Sequence, residues 1–241
     1  MGTAGSSHAP TALKFATRDG HDFIGLSEKR WGLRLVCLSD THGQHRQLQV
    51  PPGDVLVHAG DFTVFGRKEQ ALDFNAWLAE LPHRVKFVAL GNHENNSDWS
   101  RDADTVVSNA TILRGSALHF PEVVGCEGGG GGAPNFFGTD FFWPCENGSN
   151  PYFDQIPDDT DVLIAHGPAL GAADGGRGCP ALLAAIRRVR PALVVSGHIH
   201  FARGVAEVRH ADRTTILVNA ANAGSGKEER SLVHRPVLVD I

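Results

Sequence analysis

The sequence predicts an α/β fold with a mixed sheet, and three observations carry that expectation. Short apolar runs each end in a polar turn rich in Asp, His, Asn and Gly. Two stretches with helical spacing lie among those runs, and two later strand-like runs have no helix after them. Strands covered on both faces read as continuous apolar runs rather than alternating ones, which is the form seen here.

Taken in order, residues 1 to about 30 show no sustained periodicity and read as an irregular N-terminal extension, leaving 31–241 as one domain. Leu35-Val36-Cys37-Leu38 then runs into Ser39-Asp40-Thr41-His42-Gly43, and Asp54-Val55-Leu56-Val57 into His58-Ala59-Gly60-Asp61. Between 67 and 81, Ala71, Phe74, Trp77, Leu78 and Leu81 recur at three- and four-residue spacing before Pro82, which predicts a helix. Val85–Leu90 leads into Gly91-Asn92-His93-Glu94, and Asp161–Ala165 into His166-Gly167-Pro168. A second helix is predicted over 180–190 from Leu182, Leu183, Ile186 and Val189, ending before Pro191. Leu193–Ser196 runs into Gly197-His198-Ile199-His200. Asn135–Phe142 and Thr214–Asn219 are strand-like without a following helix.

Composition narrows the function. An apolar fraction of 41% with 20% charged residues reads as a soluble globular protein, and a net charge of -5 offers no footprint for duplex nucleic acid. No apolar run reaches bilayer length, and the N-terminus lacks the regions of a secretory signal. Cys37, Cys126, Cys145 and Cys179 lie far apart with no Cys-x-x-Cys pair, so they read as isolated reduced thiols of a cytoplasmic protein. Met1-Gly2-Thr3-Ala4-Gly5-Ser6 satisfies the loose N-myristoylation pattern, but no polybasic stretch accompanies it, and it reads as a chance match at Gly2. The five glycines of Gly128–Gly132 read as a surface loop. Gly224-Ser225-Gly226-Lys227 is followed by Glu228 rather than Ser or Thr, so it is no phosphate-binding loop.

The chain has 13 histidines, and their placement matters more than their number. Asp40, His42, Asp61, Asn92, His93, His166, His198 and His200 all follow an apolar strand directly. In open α/β sheets, ligands bind at the carboxyl ends of the strands, so five strands would bring these groups to one edge. The two-residue spacing of Asp40 with His42, and of His198 with His200, puts both side chains on one side of an extended segment. Imidazole, carboxylate and one amide without thiolate suit Mn²⁺, Fe or Zn²⁺. His45, His58 and His83 fall outside this pattern and read as ordinary histidines.

The ordered set Asp-x-His, Gly-Asp, Gly-Asn-His-Glu, His-Gly and Gly-His-x-His, from Asp40 to His200, resembles the calcineurin-like metallophosphoesterases. His58–Thr63, Phe74–Leu78, His166–Gly171 and Val218-Asn219-Ala220 are similar to the MPPED/UPF0046 branch of that superfamily. The resemblance implies a four-layer αββα sandwich with a dinuclear site. Asp40, His42 and His200 would hold one metal, Asn92, His166 and His198 the second, and Asp61 would bridge them. His93 would bind no metal, and would donate to the phosphate or the leaving-group oxygen. Asp61, Asn92 and His93 would thus form the catalytic set, with Asn92 and His93 also contacting substrate.

The resemblance further implies hydrolysis of a small phosphate ester, a phosphodiester such as a cyclic nucleotide or else a monoester, by activated water. Phe62–Gly66 lacks the Asp-Arg pair of the Ser/Thr phosphatase branch, which argues against a protein phosphatase. The alternative is a nucleotide- or metal-binding regulator on the same fold. The presence of His198 beside His200 favours the enzyme. Phe141, Phe142 and Trp143 are candidates for stacking on a nucleobase, or for partly buried strand-end aromatics.

Overall fold

The computed structural model describes residues 15–18, 20–26, 30–119, 133–139, 150–226 and 231–241. Gly2, the glycine run at 128–132 and Phe141–Trp143 lie outside the described residues, as do Cys126 and Cys145.

Two sheets face each other. The first has seven strands in the order β1 (Ala16–Arg18), β2 (His21–Gly25), β13 (Val237–Asp240), β3 (Arg34–Leu38), β4 (Val55–His58), β5 (Val85–Val88) and β6 (Thr111–Ile112). The second has six: β11 (Gly204–Arg209), β12 (Thr214–Asn219), β10 (Leu193–Ser196), β9 (Val162–Ala165), β8 (Asn135–Thr139) and β7 (Ser116–His119). Strands β3 to β6 pair in parallel, as do β8, β9, β10 and β12, while β13 with β3, β11 with β12 and β7 with β8 are antiparallel. Both sheets are therefore mixed.

The apolar runs divide residue by residue between two faces. Leu35, Cys37, Val55, Val57 and Phe87 pack inward against Phe136, Val162, Ile164, Leu193 and Val195 of the second sheet. Val36, Leu38, Leu56 and Val88 point outward, onto Phe74, Trp77 and Leu78 of α1 (Lys68–Glu80) and, beyond the single turn of α2 (Asn92–Asn95) in the chain, Ala103 and Val106 of α3 (Ala103–Val106). Leu163, Ala165 and Val194 do the same on the far side, against Leu182, Ala185, Ile186 and Val189 of α5 (Pro180–Val189) and Phe153 of α4 (Pro151–Asp154). Three apolar interfaces among four layers constitute the αββα sandwich. Pro180 starts α5, where its missing N–H costs nothing, and Arg190 closes it in a left-handed conformation ahead of Pro191.

Residues 1–30 were expected to be irregular, but Ala16–Arg18 and His21–Gly25 are strands. β2 pairs in parallel with β13 near the other end of the chain, matching Phe23 with Leu238 and Ile24 with Val239. Ile24 is the only buried residue of β2 and all of β1 is exposed, so neither shows the periodicity of a buried strand. Cys179, expected as an isolated thiol, is disulfide-bonded, whereas Cys37 is a free and buried thiol. Which cysteines meet is set by approach in space, which their spacing along the chain does not encode. Among the described residues, no helix is long and apolar enough to cross a membrane.

Candidate metal centre

The turns that leave β3, β4, β5, β9 and β10 converge at one end of the sandwich. They are locked to one another by main-chain bonds: Asp40 N–H donates to Gly60 C=O (2.9 Å), His42 N–H to Asp61 C=O (3.0 Å) and Gly197 N–H to His166 C=O (2.9 Å). Ser39 bridges to Ala221 beyond β12, which ties the two sheets together beside the site. Among the described residues, the non-glycine positions with left-handed φ are Asp40, His42, Asp61, Phe65, Ala173, Arg190 and His198. Four of these are groups singled out from the sequence. Backbone strain of this kind concentrates at functional sites, where the surrounding structure imposes it.

All seven expected ligands come together. In each of three groups, Asp40–His42–His200, His42–Asp61–His93 and Asp61–His166–His198, the donor atoms lie within 4.8 Å of one another. Asn92 Oδ1 is 3.3 Å from His166 Nε2, which adds the amide to the last group. Asp61 belongs to two of these groups, one with His42 and His93 and one with His166 and His198. His93 Nε2 stands farther off, 3.9 Å from Asp61 Oδ2.

Second partners aim the rings. His42 Nδ1 faces Thr63 C=O (3.4 Å), His166 Nδ1 faces Ala59 C=O (2.8 Å) and His200 Nδ1 faces Gly224 C=O (2.9 Å). Each carbonyl calls for a proton on Nδ1 and so leaves Nε2 as the inward donor atom, the arrangement that fixes metal-binding imidazoles. His93 Nδ1 lies 3.0 Å from Thr63 C=O and 2.9 Å from the Phe65 N–H, so it can donate to one or accept from the other. The neighbouring Glu94 binds the backbone of both turns. It is fully buried and accepts from the N–H groups of Asp61 (2.8 Å), Thr63 (2.9 Å) and Gly91 (3.0 Å) and from the Thr63 hydroxyl (2.6 Å). It thereby clamps the Gly-Asp turn to the Gly-Asn-His turn.

Asp40, Asp61 and Glu94 bring three carboxylates into the interior. Among the described residues, the ion-pair partners of Asp40 and Asp61 are histidines alone, and no Lys or Arg lines the cavity. Burial pushes the Asp40 carboxyl up, but the hydrogen bond from His200 and the nearby imidazoles outweigh it and hold the group well below the usual range. Burial likewise raises Asp61, and His166 more than reverses the effect. Burial lowers His198 to about 4 and also lowers His42, so both are neutral with a lone pair to give. His166 is held up to about 9, because Asp61 overcomes the burial that opposes its charge. Two anionic carboxylates that keep a proton on a buried histidine mark a place for positive charge, and a divalent cation fits it better than a proton. The imidazole, carboxylate and amide donors fit Mn²⁺, Fe or Zn²⁺.

The cavity over these groups measures about 270 Å³ and is lined by His42, Asp61, Phe65, Asn92, His93, His198 and His200. Sequence reasoning missed Thr63, whose carbonyl serves two rings, and Phe65 at the rim. Both lie just beyond the Gly-Asp turn, in a stretch whose residue types carry no ligand signal. His58, His45 and His83 have structural partners. His58 Nδ1 accepts from Gly60 N–H (3.2 Å), which leaves Nε2–H to donate to Thr41 Oγ1 (3.0 Å). His45 pairs with Asp73, and His83 with Pro51 C=O.

The sequence profile of the family described as Calcineurin-like phosphoesterase matches residues 33–202. The UPF0046 protein K07C11.7 of Caenorhabditis elegans is 33% identical over 233 residues, covering 86% of this chain and 74% of that protein. Metallophosphoesterase domain-containing protein 1 of Homo sapiens is 35% identical over 237 residues, covering 86% and 71%. In fold, the chain is similar to TT1561 of Thermus thermophilus, with a TM-score of 0.56 at 11% identity over 78% of this chain and 88% of that one. An αββα sandwich with this site at its edge, and these relatives along most of its length, places the chain in the calcineurin-like phosphoesterase family, beside the UPF0046 and metallophosphoesterase domain-containing proteins.

Proposed function

We propose that this protein is a dinuclear metal-dependent hydrolase of small phosphate esters. Family membership supports a metal-dependent phosphoester hydrolase in general terms. The observation that carries the finer reading is the convergence of the ligand groups, two of which share Asp61, with the Nε2 atoms of His42, His166 and His200 aimed inward. Asp40, His42 and His200 would hold one ion, Asn92, His166 and His198 the other, and Asp61 both. When bound, the ions would neutralise phosphate charge and activate water, work for which no Lys or Arg lines the cavity among the described residues.

The remaining work falls to His93. Its Nδ1 has a partner in either protonation state, the Phe65 N–H when bare and the Thr63 carbonyl when protonated. The imidazolium can therefore give its Nε2 proton to the leaving oxygen while Nδ1 stays hydrogen-bonded. General-acid help of this kind is worth about 10²–10⁴-fold. A cavity of about 270 Å³ takes the phosphate and the first atoms attached to it, which favours a small ester, a nucleotide among them, over nucleic acid.

The test is hydrolysis of bis-p-nitrophenyl phosphate and p-nitrophenyl phosphate by metal-stripped protein, with and without Mn²⁺, beside His93→Ala. Turnover restored by metal, and lowered at least 100-fold in the variant with metal content unchanged, is the expected result. Two bound metals without turnover of either ester would favour a binding role, and metal loss in the variant would make His93 a ligand. The ratio of the two rates chooses between diester and monoester.

A further inference from the structure

Phe65 is not explained by the chemistry proposed above. It is 65% exposed, carries a left-handed φ of 53°, and lines the cavity. A phenylalanine there faces two unfavourable contributions at once, an apolar ring in water and a backbone conformation that side chains resist. Its N–H donates to His93 Nδ1, but any residue except proline supplies that bond, so the ring needs a reason of its own.

The reason lies in where the ring sits. Imidazoles form a rank across the cavity, His200 to His42 at 5.2 Å between centroids and His42 to His93 at 4.9 Å. Phe65 continues that rank, stacked on His93 at 5.1 Å with 12° between the planes. His93 is the group that meets the leaving oxygen in the reading given above, on which this inference rests. Whatever that oxygen carries must then pass out of the small cavity beside the next ring in the rank, which is Phe65.

We propose that Phe65 is a specificity-determining residue, a platform at the rim for a planar aromatic group carried by the leaving oxygen. The substrate class is an aromatic phosphate ester, as opposed to a purely aliphatic one. An offset-stacked or edge-on contact with the Phe65 ring supplies the discrimination, because a flat π-system gains from that geometry and a saturated ring of equal size does not.

Calorimetric titration of Mn²⁺-loaded protein with phenylphosphonate and with cyclohexylphosphonate tests this without requiring turnover. The chain is compared with Phe65→Gly, Phe65→Leu and Phe65→Tyr, with Mn²⁺ content measured in each. Glycine keeps the N–H and suits the backbone angle, so it removes only the ring. The expected result is that Phe65→Gly weakens phenylphosphonate about tenfold and cyclohexylphosphonate less than about twofold, that tyrosine restores the preference and that leucine does not. Equal losses for both ligands, leucine performing as well as phenylalanine, or no phenylphosphonate binding to the unaltered protein would each overturn the proposal. Ring-selective binding by a protein that hydrolyses no ester would leave the platform standing and defeat the hydrolase reading. Hydrolysis without ring selectivity would do the reverse.

Discussion

Glu94→Ala removes the one acceptor that four buried donors share. The N–H groups of Asp61, Thr63 and Gly91 and the Thr63 hydroxyl all point at this carboxylate, which has no solvent exposure. A buried donor left unsatisfied costs about 1–3 kcal/mol, and water entering the space of the lost side chain recovers part of the sum, leaving about 4 kcal/mol. For a chain of this length each kcal/mol moves the melting temperature by about 2–4 °C, so a fall of about 8–16 °C is expected. Glu94→Gln keeps the volume and one oxygen. Its amide can donate to the Thr63 hydroxyl but faces the Thr63 N–H, so about half of the loss is expected. Scanning calorimetry of metal-stripped protein measures both, beside metal content by mass spectrometry. The alanine variant should also lose metal, since Asp61 is held in place through its own N–H. A melting temperature within about 2 °C of the unaltered chain for Glu94→Ala, the shift that one kcal/mol would produce, would refute the clamp. So would a glutamine variant less stable than the alanine one.

Other outcomes follow from the same geometry. Asp61→Asn should impair both metals together, read as metal content per chain, because Asp61 lies within reach of His42 in one group and of His166 and His198 in another; loss of a single ion would show that it does not bridge. Gly197→Ala should lower metal affinity while the chain stays folded, since a Cβ at Gly197 collides with the Asp40 carboxylate and the Ser39 hydroxyl. Unchanged metal binding by that variant would mean the turn can shift freely. Metal affinity should rise with pH. Below about 9 the metal-free protein keeps a proton on His166, which an incoming cation must displace, so binding strengthens about tenfold per pH unit near neutrality. Titration in buffers of differing ionisation enthalpy should find at least one proton released near pH 7, and affinity independent of pH would contradict the assigned His166 proton.

The sequence alone determined the buried strands, the two long helices and the polar groups that follow the strands. Leu35–Leu38, Val55–Val57 and Val162–Ala165 are apolar at every position because both faces of each sheet are covered, and that local signature needs no partner to be read. The candidate site was legible for a related reason. Asp40, Asp61, Asn92, His166 and His198 sit one or a few residues past a strand end, so placing the strand places the residue.

What only the tertiary structure decided depends on chain segments that are far apart in sequence. β2 is a strand because β13, more than 200 residues later, pairs with it, and its own burial pattern gives no sign of this. The same holds for the disulfide at Cys179 and for the carbonyls of Thr63, Ala59 and Gly224 that aim the imidazoles. A backbone carbonyl is present at every residue, so its role leaves no mark on residue type. The ring of Phe65 reads in sequence as one more aromatic among apolar neighbours. Only the left-handed turn that carries it to the cavity rim, against His93, separates it from the core phenylalanines Phe62 and Phe74.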